Sequence, residues 1–131
     1  MARGLLDWSE VSGRKEDRNT ALLMVRQAWQ RFYGEQGWQL TDHMWLRYGA
    51  GETLIPDGVM PSPAEVLIAC SLRLDNKELT QMAMRALNVG KTEIMLGPFW
   101  YASRIGVIRQ YQTIKISASL SGGASRTSNV N

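Results

Sequence analysis

Apolar residues between Thr20 and Tyr33 fall at Leu22, Val25, Trp29 and Phe32, three or four positions apart. That spacing gathers them on one helical face, with Arg26, Gln30 and Arg31 elsewhere, and predicts a helix over Thr20–Tyr33. Asn19 supplies an N-cap and Gly34 a stop. A shorter helix is expected from Thr41 to Tyr48, where Thr41 can cap, Asp42 suits the first turn and Gly49 ends the run.

The clearest start signal comes later. Ser62-Pro63-Ala64-Glu65 has the form of a capping box with proline at the first helical position. The helix it opens should run to Leu74 and bury Val66, Leu67, Cys70 and Leu74. Asp75-Asn76-Lys77-Glu78 repeats the form, and its helix turns Leu79, Met82, Ala83, Ala86 and Leu87 inward before ending at Asn88-Val89-Gly90. Two capped helices with so short a link make an αα-hairpin over residues 62–89.

The remaining segments are less regular. Leu5, Leu6, Trp8 and Val11 fit one or two helical turns, or an N-terminal arm over residues 1–12 that docks on a neighbouring subunit. Residues 12–19 are wholly polar and read as a loop. Ile55-Pro56-Asp57-Gly58 suits a type I turn, with Thr53–Ile55 and Val59–Met60 as a very short hairpin around it. Gly97-Pro98 separates Thr92–Leu96 from Phe99–Lys115, which fits either a helix using Tyr101, Ile105 and Ile108 or extended chain. Ile114, Ile116, Ala118 and Leu120 alternate, which favours a short C-terminal β element. Residues 121–131 are small and polar, the composition of a flexible tail. The fold expected is mainly α: one helical domain over residues 1–120, of four to five helices.

Charge sharpens this picture because it is unevenly spread. Residues 1–79 carry a net −2, whereas residues 80–131 set Arg85, Lys91, Arg104, Arg109, Lys115 and Arg126 against Glu93 alone. Eleven of the fifteen basic residues are arginine, which suits planar contact with phosphate or carboxylate. The same charges would also serve simply to solvate a surface.

Little in the chain points to catalysis. Cys70 is the single cysteine and lies among Ile68, Ala69 and Leu72, the setting of a buried inert thiol. His43 is the single histidine, so no second histidine or cysteine completes a metal site, and neither metal nor cofactor is expected. A small enzyme using His43 or Cys70 ranks last among the readings. Gly90-Lys91-Thr92 lacks the earlier glycine of a phosphate loop, since position 85 is Arg, and reads as a helix C-cap. An acidic residue at Asp7 arrives too early for an export signal, and no run suits a membrane span. Cytoplasm, nucleus or the interior of a virus particle are the expected compartments.

The segment 91–115 is the strongest functional suggestion. Aromatics Phe99, Trp100, Tyr101 and Tyr111 interleave with Lys91, Arg104, Arg109 and Lys115. Cations that track phosphates, with rings that stack bases, are how single strands are held. The competing reading places the three consecutive aromatics in the core. Five tryptophans and seven methionines are many for such a chain, and both types are enriched at protein interfaces. The leading expectation is a non-enzymatic, self-associating nucleic-acid-binding protein of coat or nucleoprotein type, with RNA favoured. Arg104, Arg109 and Lys115 would contact phosphate, Trp100, Tyr101 and Tyr111 would stack, and Arg85 and Lys91 would add to the field. Leu5, Leu6 and Trp8 would join a neighbouring copy. The alternative is a protein-interaction module (an adaptor, matrix-type protein or inhibitor) without nucleic acid.

Overall fold

A computed structural model describes residues 1–39 and 51–123. The expected helix Thr41–Tyr48, His43 within it, and tail residues 124–131 lie outside the described residues. The described chain is mainly helical: α1 (Ala2–Ser12), α2 (Lys15–Phe32), α3 (Pro63–Arg73), α4 (Lys77–Leu87), α5 (Lys91–Leu96) and α6 (Ala102–Gly123). A hairpin of two-residue strands, β1 (Tyr33–Gly34) and β2 (Gly37–Trp38), follows α2, and a 3₁₀ turn (Pro98–Tyr101) precedes α6.

Residues 1–12 form a helix docked on their own chain. Leu6 is wholly buried in the core and Leu5 packs against it, so the arm reading does not hold for these two. Gly13-Arg14 link α1 to α2, and the two helices pack together. Arg73 of α3 clamps α1 from the other side, donating to Asp7 at 2.8 Å and Glu10 at 2.9 Å.

The helix expected from Thr20 begins instead at Lys15. The polar stretch read as a loop is its first turn, where Glu16 and Asp17 face the positive end of the helix dipole and Arg14 sits 3.6 Å from each. Ala21, Val25 and Trp29 carry the buried stripe at four-residue spacing, with Leu22 and Phe32 half-buried at its edge. Trp29 stacks against Tyr33 and Trp38 with centroids 5.1 and 5.2 Å away, and its indole N–H donates to Ser71 Oγ at 2.8 Å. That bond, with the 3.0 Å bond from the Arg18 guanidinium to the Arg73 carbonyl, ties α2 to α3.

The short hairpin sits at residues 33–38 rather than around 56–58. Tyr33 pairs with Trp38 and Gly34 with Gly37, and Trp38 bridges on to Glu52 through two 2.8 Å backbone bonds. Gly37 has φ +100°, and a Cβ there would run into the Glu52 carbonyl, so this crossing of strands requires glycine.

The αα-hairpin forms where expected, with one change at each cap. Pro63 opens α3, but Ser62 makes no capping bond and Glu65 turns into the core. At α4 the cap is Asn76, whose Oδ1 accepts from the Leu79 N–H at 3.1 Å. Leu79, Ala83, Ala86 and Leu87 are buried, as the periodicity implies, and Met82 is half-buried. The buried apolar side chains of α3 are Ala64, Ile68 and Cys70, joined by Leu74 at its C-cap, with Val66 and Leu67 at the margin.

The expected C-terminal β element is absent, because α6 runs unbroken through it to Gly123. A strand needs a neighbour to take up its backbone groups, and the described strands pair only with each other and with Glu52. A helix already nucleated at Ala102 satisfies those groups internally at no further nucleation cost. Alternation over four positions was too short to outweigh that.

Asn76→Ala should cost about 1 kcal/mol of stability, while Asn88→Ala, past the end of α4, should cost only a few tenths. Urea denaturation of both variants checks this.

Candidate interaction surface

The C-terminal half is organised around a buried charge. Arg104 is wholly buried, and its Nη1 donates to Glu65 Oε1 at 2.8 Å. Its Nη2 donates to the Ala86 carbonyl and, at 3.0 Å, to the Val89 carbonyl. One side chain thus fastens α6 to α3 and to the C-terminal end of α4, where cations suit both the orphan carbonyls and the dipole. Burial pushes the Glu65 carboxyl above its usual value, and the Arg104 charge offsets that only in part. Arg104 is therefore a structural cation and cannot reach phosphate from this position, contrary to the role its sequence context suggested.

A second knot fixes the loop before α3. Asp57 accepts from the Ser62 N–H and the Ser103 N–H, each at 2.8 Å, and from the Ser103 hydroxyl. Burial pulls its carboxyl upward, but these bonds, the Ser103 hydroxyl first, outweigh burial and hold it below the ordinary aspartate value. The Asp57 N–H also donates to the Trp100 carbonyl at 2.7 Å. The Ile55–Gly58 segment, in which no hydrogen-bonded turn forms, is thereby pinned against the 3₁₀ turn.

Three stretches of exposed apolar side chains flank this junction along the chain. Val59 and Met60 follow Asp57, Met95 and Leu96 end α5, and Phe99 and Trp100 form the turn. Phe99 is 82% exposed and Trp100 59%, with their rings edge-to-face at 5.6 Å. The aromatics are therefore outside the core. Contiguous large apolar residues on a surface mark interaction sites, unlike single scattered ones.

The other candidate residues divide. Tyr101 and Tyr111 are half-buried. Arg85, Lys91, Arg109 and Lys115 are exposed, and no carboxylate pairs with them among the described residues. By contrast Arg3, Arg14, Arg26 and Arg73 all have acidic partners. Arg109 and Lys115 do not share a face, because six residues of α6 rotate them roughly 120° apart. Trp8 is 56% exposed and remains a surface residue of α1.

Cys70 is buried, and burial pushes its thiol pKa up, so it is a thiol and not a thiolate at neutral pH. Among the described residues no cluster of His, Cys, Asp or Glu could hold a metal, and no helix is long and apolar enough to cross a membrane. Comparison with protein-family models, curated protein sequences and solved structures finds no match to this chain.

Arg104→Met should destabilise the protein by about 3–5 kcal/mol, because Glu65 is left buried without its counter-charge. The folded carboxyl then binds its proton more tightly than the unfolded one, so this variant loses stability as pH rises through the folded value. Glu65→Leu combined with Arg104→Met should recover most of the loss, measured by denaturation across that pH range.

Proposed function

We propose that this protein is a non-enzymatic binding protein that self-associates through the platform of Val59, Met60, Met95, Leu96, Phe99 and Trp100. The carrying observation is that these six large apolar side chains are exposed on segments next to the junction that Asp57 hydrogen-bonds to Ser62, Trp100 and Ser103. Four of them are aliphatic or thioether side chains, which pack against a protein surface and offer no flat face to a base. The only described charges within α5 are Lys91 and Glu93, which leaves the centre of the platform free of desolvation cost. A second copy of the chain supplies a surface of the same character, so two platforms can bury each other.

Size-exclusion chromatography with light scattering tests this. The wild type should run as two or more chains at micromolar concentration, whereas Phe99→Ala with Trp100→Ala should be monomeric at an unchanged melting temperature. A monomeric wild type at every concentration would remove the proposal's support.

A second reading, binding of single-stranded nucleic acid, is favoured by the exposed cations Arg85, Lys91, Arg109 and Lys115, which have no carboxylate partner among the described residues. On that reading the affinity for an RNA oligonucleotide falls steeply with salt, and replacing each cation that touches phosphate flattens the log–log slope by about 0.7. A salt-independent or undetectable affinity speaks against it.

A further inference from the structure

Asp57-Gly58 is the single place among the 131 residues where glycine directly follows an aspartate or asparagine. Such a pair has a reactivity of its own. The backbone nitrogen after the aspartate can attack its Cγ, and glycine, with no Cβ to block the approach, permits this best. The N–Cγ bond forms as a proton leaves the amide and hydroxide leaves the carboxyl, together as water, giving a five-membered imide. Water then adds at the former main-chain carbonyl of the aspartate, and the C–N bond there breaks. The product, isoaspartate, is an isomer of the starting chain. Its backbone is one carbon longer and its carboxylate arm one carbon shorter.

The structure holds this pair in an unreactive form. Asp57 Oδ1 accepts from the Ser62 N–H at 2.8 Å and from the Ser103 hydroxyl, and Oδ2 accepts from the Ser103 N–H at 2.8 Å. The Gly58 N–H, which would supply the nucleophile, donates to the Met60 carbonyl at 3.2 Å. An ionised carboxylate is a poor electrophile, and the bonds to Ser62 and Ser103 keep Asp57 ionised to lower pH than an ordinary aspartate. Both reacting groups are therefore engaged elsewhere. The pair is not walled in, however: Asp57 is half-buried, Gly58 is exposed, and a Cβ at Gly58 would meet nothing within 4 Å. Hydrogen bonds, more than packing, restrain it.

We propose that Asp57-Gly58 is a self-modification site, converted to isoaspartate when the loop lets go of Ser62 and Ser103, and that conversion makes the release permanent. Ser103 lies in the first turn of α6, where the Asp57 carboxylate satisfies an orphan N–H and faces the positive end of the helix dipole. A shorter carboxylate arm on a longer backbone no longer meets the Ser62 and Ser103 donors together. A passing opening of the loop is thus recorded as a covalent change that outlasts it. The only co-reactant is water. This site is independent of what the exposed apolar segments bind.

The test follows isoaspartate at position 57 over time, by peptide mapping with electron-transfer fragmentation. Wild-type protein held at neutral pH below its melting temperature is compared with the same chain unfolded in urea. The native protein should convert roughly a hundredfold more slowly, because reaction from an opened loop scales with the population of the open form. Ser103→Ala removes one bond to a charged acceptor and should speed native conversion roughly tenfold, with helix content unchanged by circular dichroism. Gly58→Ala, for which there is room, should slow conversion sharply in the unfolded chain. Wild-type protein converted in urea should melt below an unconverted control carried through the same refolding, or fail to refold beside it. Equal rates in native and unfolded protein, no conversion in urea, or equal melting temperatures of converted and control protein would overturn the proposal. So would a folded Ser103→Ala that converts no faster than wild type. The comparisons on the wild-type sequence decide the matter even where a variant does not fold.

Discussion

Everything in the C-terminal half rests on the cost of burying a charge. Arg104 sits where no water reaches, so its donors depend on acceptors within the protein. Glu65 and the carbonyls of Ala86 and Val89 serve its two terminal nitrogens, while Nε has no partner among the described residues; these acceptors belong to α3 and to the end of α4. Hydrophobic contact alone would let α6 slide along α3, since apolar packing is non-directional. The guanidinium fixes one register, because only there do three acceptors converge. α6, the 3₁₀ turn ahead of it and the loop held by Asp57 all inherit their positions from that register.

This anchoring explains how so apolar a segment comes to lie outside. The chain from Lys91 to Tyr101 spans the gap between the end of α4 and the start of α6, both fixed by Arg104. Gly90 turns it away at φ +73°, with Leu54 packed where a Cβ would lie. With both ends set, Met95, Leu96, Phe99 and Trp100 have no route back to a core that Leu79, Ala83 and Leu87 already fill. Exposure here is a consequence of buried electrostatics elsewhere.

The parts of this architecture that are local in sequence were legible before the structure. Periodicity and capping boxes found α2, α3 and α4, with the start of α3 marked by Pro63 and the start of α4 placed one residue early, since its cap is Asn76 rather than Asp75. What escaped notice depends on distant partners. Glu65 at the third position of a helix looks like half of a capping box, and only Arg104, 39 residues on, redirects it into the core. Arg104 likewise resembled its neighbours Arg109 and Lys115 in composition. The alternation from Ile114 to Leu120 was local too, but strand pairing is decided by a neighbour that the sequence does not display. The exposed platform had a faint signal: Val59-Met60 and Met95-Leu96 lie beside glycine and proline, outside any helical stripe that could bury them.

The 39-residue separation of the buried pair also carries a message about time. A ribosome adding about 5–20 residues per second needs roughly 2–8 s to travel from Glu65 to Arg104. Throughout that interval the nascent α3 holds a carboxylate on the face that should be sealed. Until that arginine arrives the carboxylate stays in water or keeps a proton, and the packing of α6 on α3 waits for it. α1 and α2 face no such wait in pairing, because their contacts with each other lie within the first 32 residues. The amino-terminal helices are free to pair while the polymerising chain is still incomplete, and closure of the whole is deferred until a single arginine emerges.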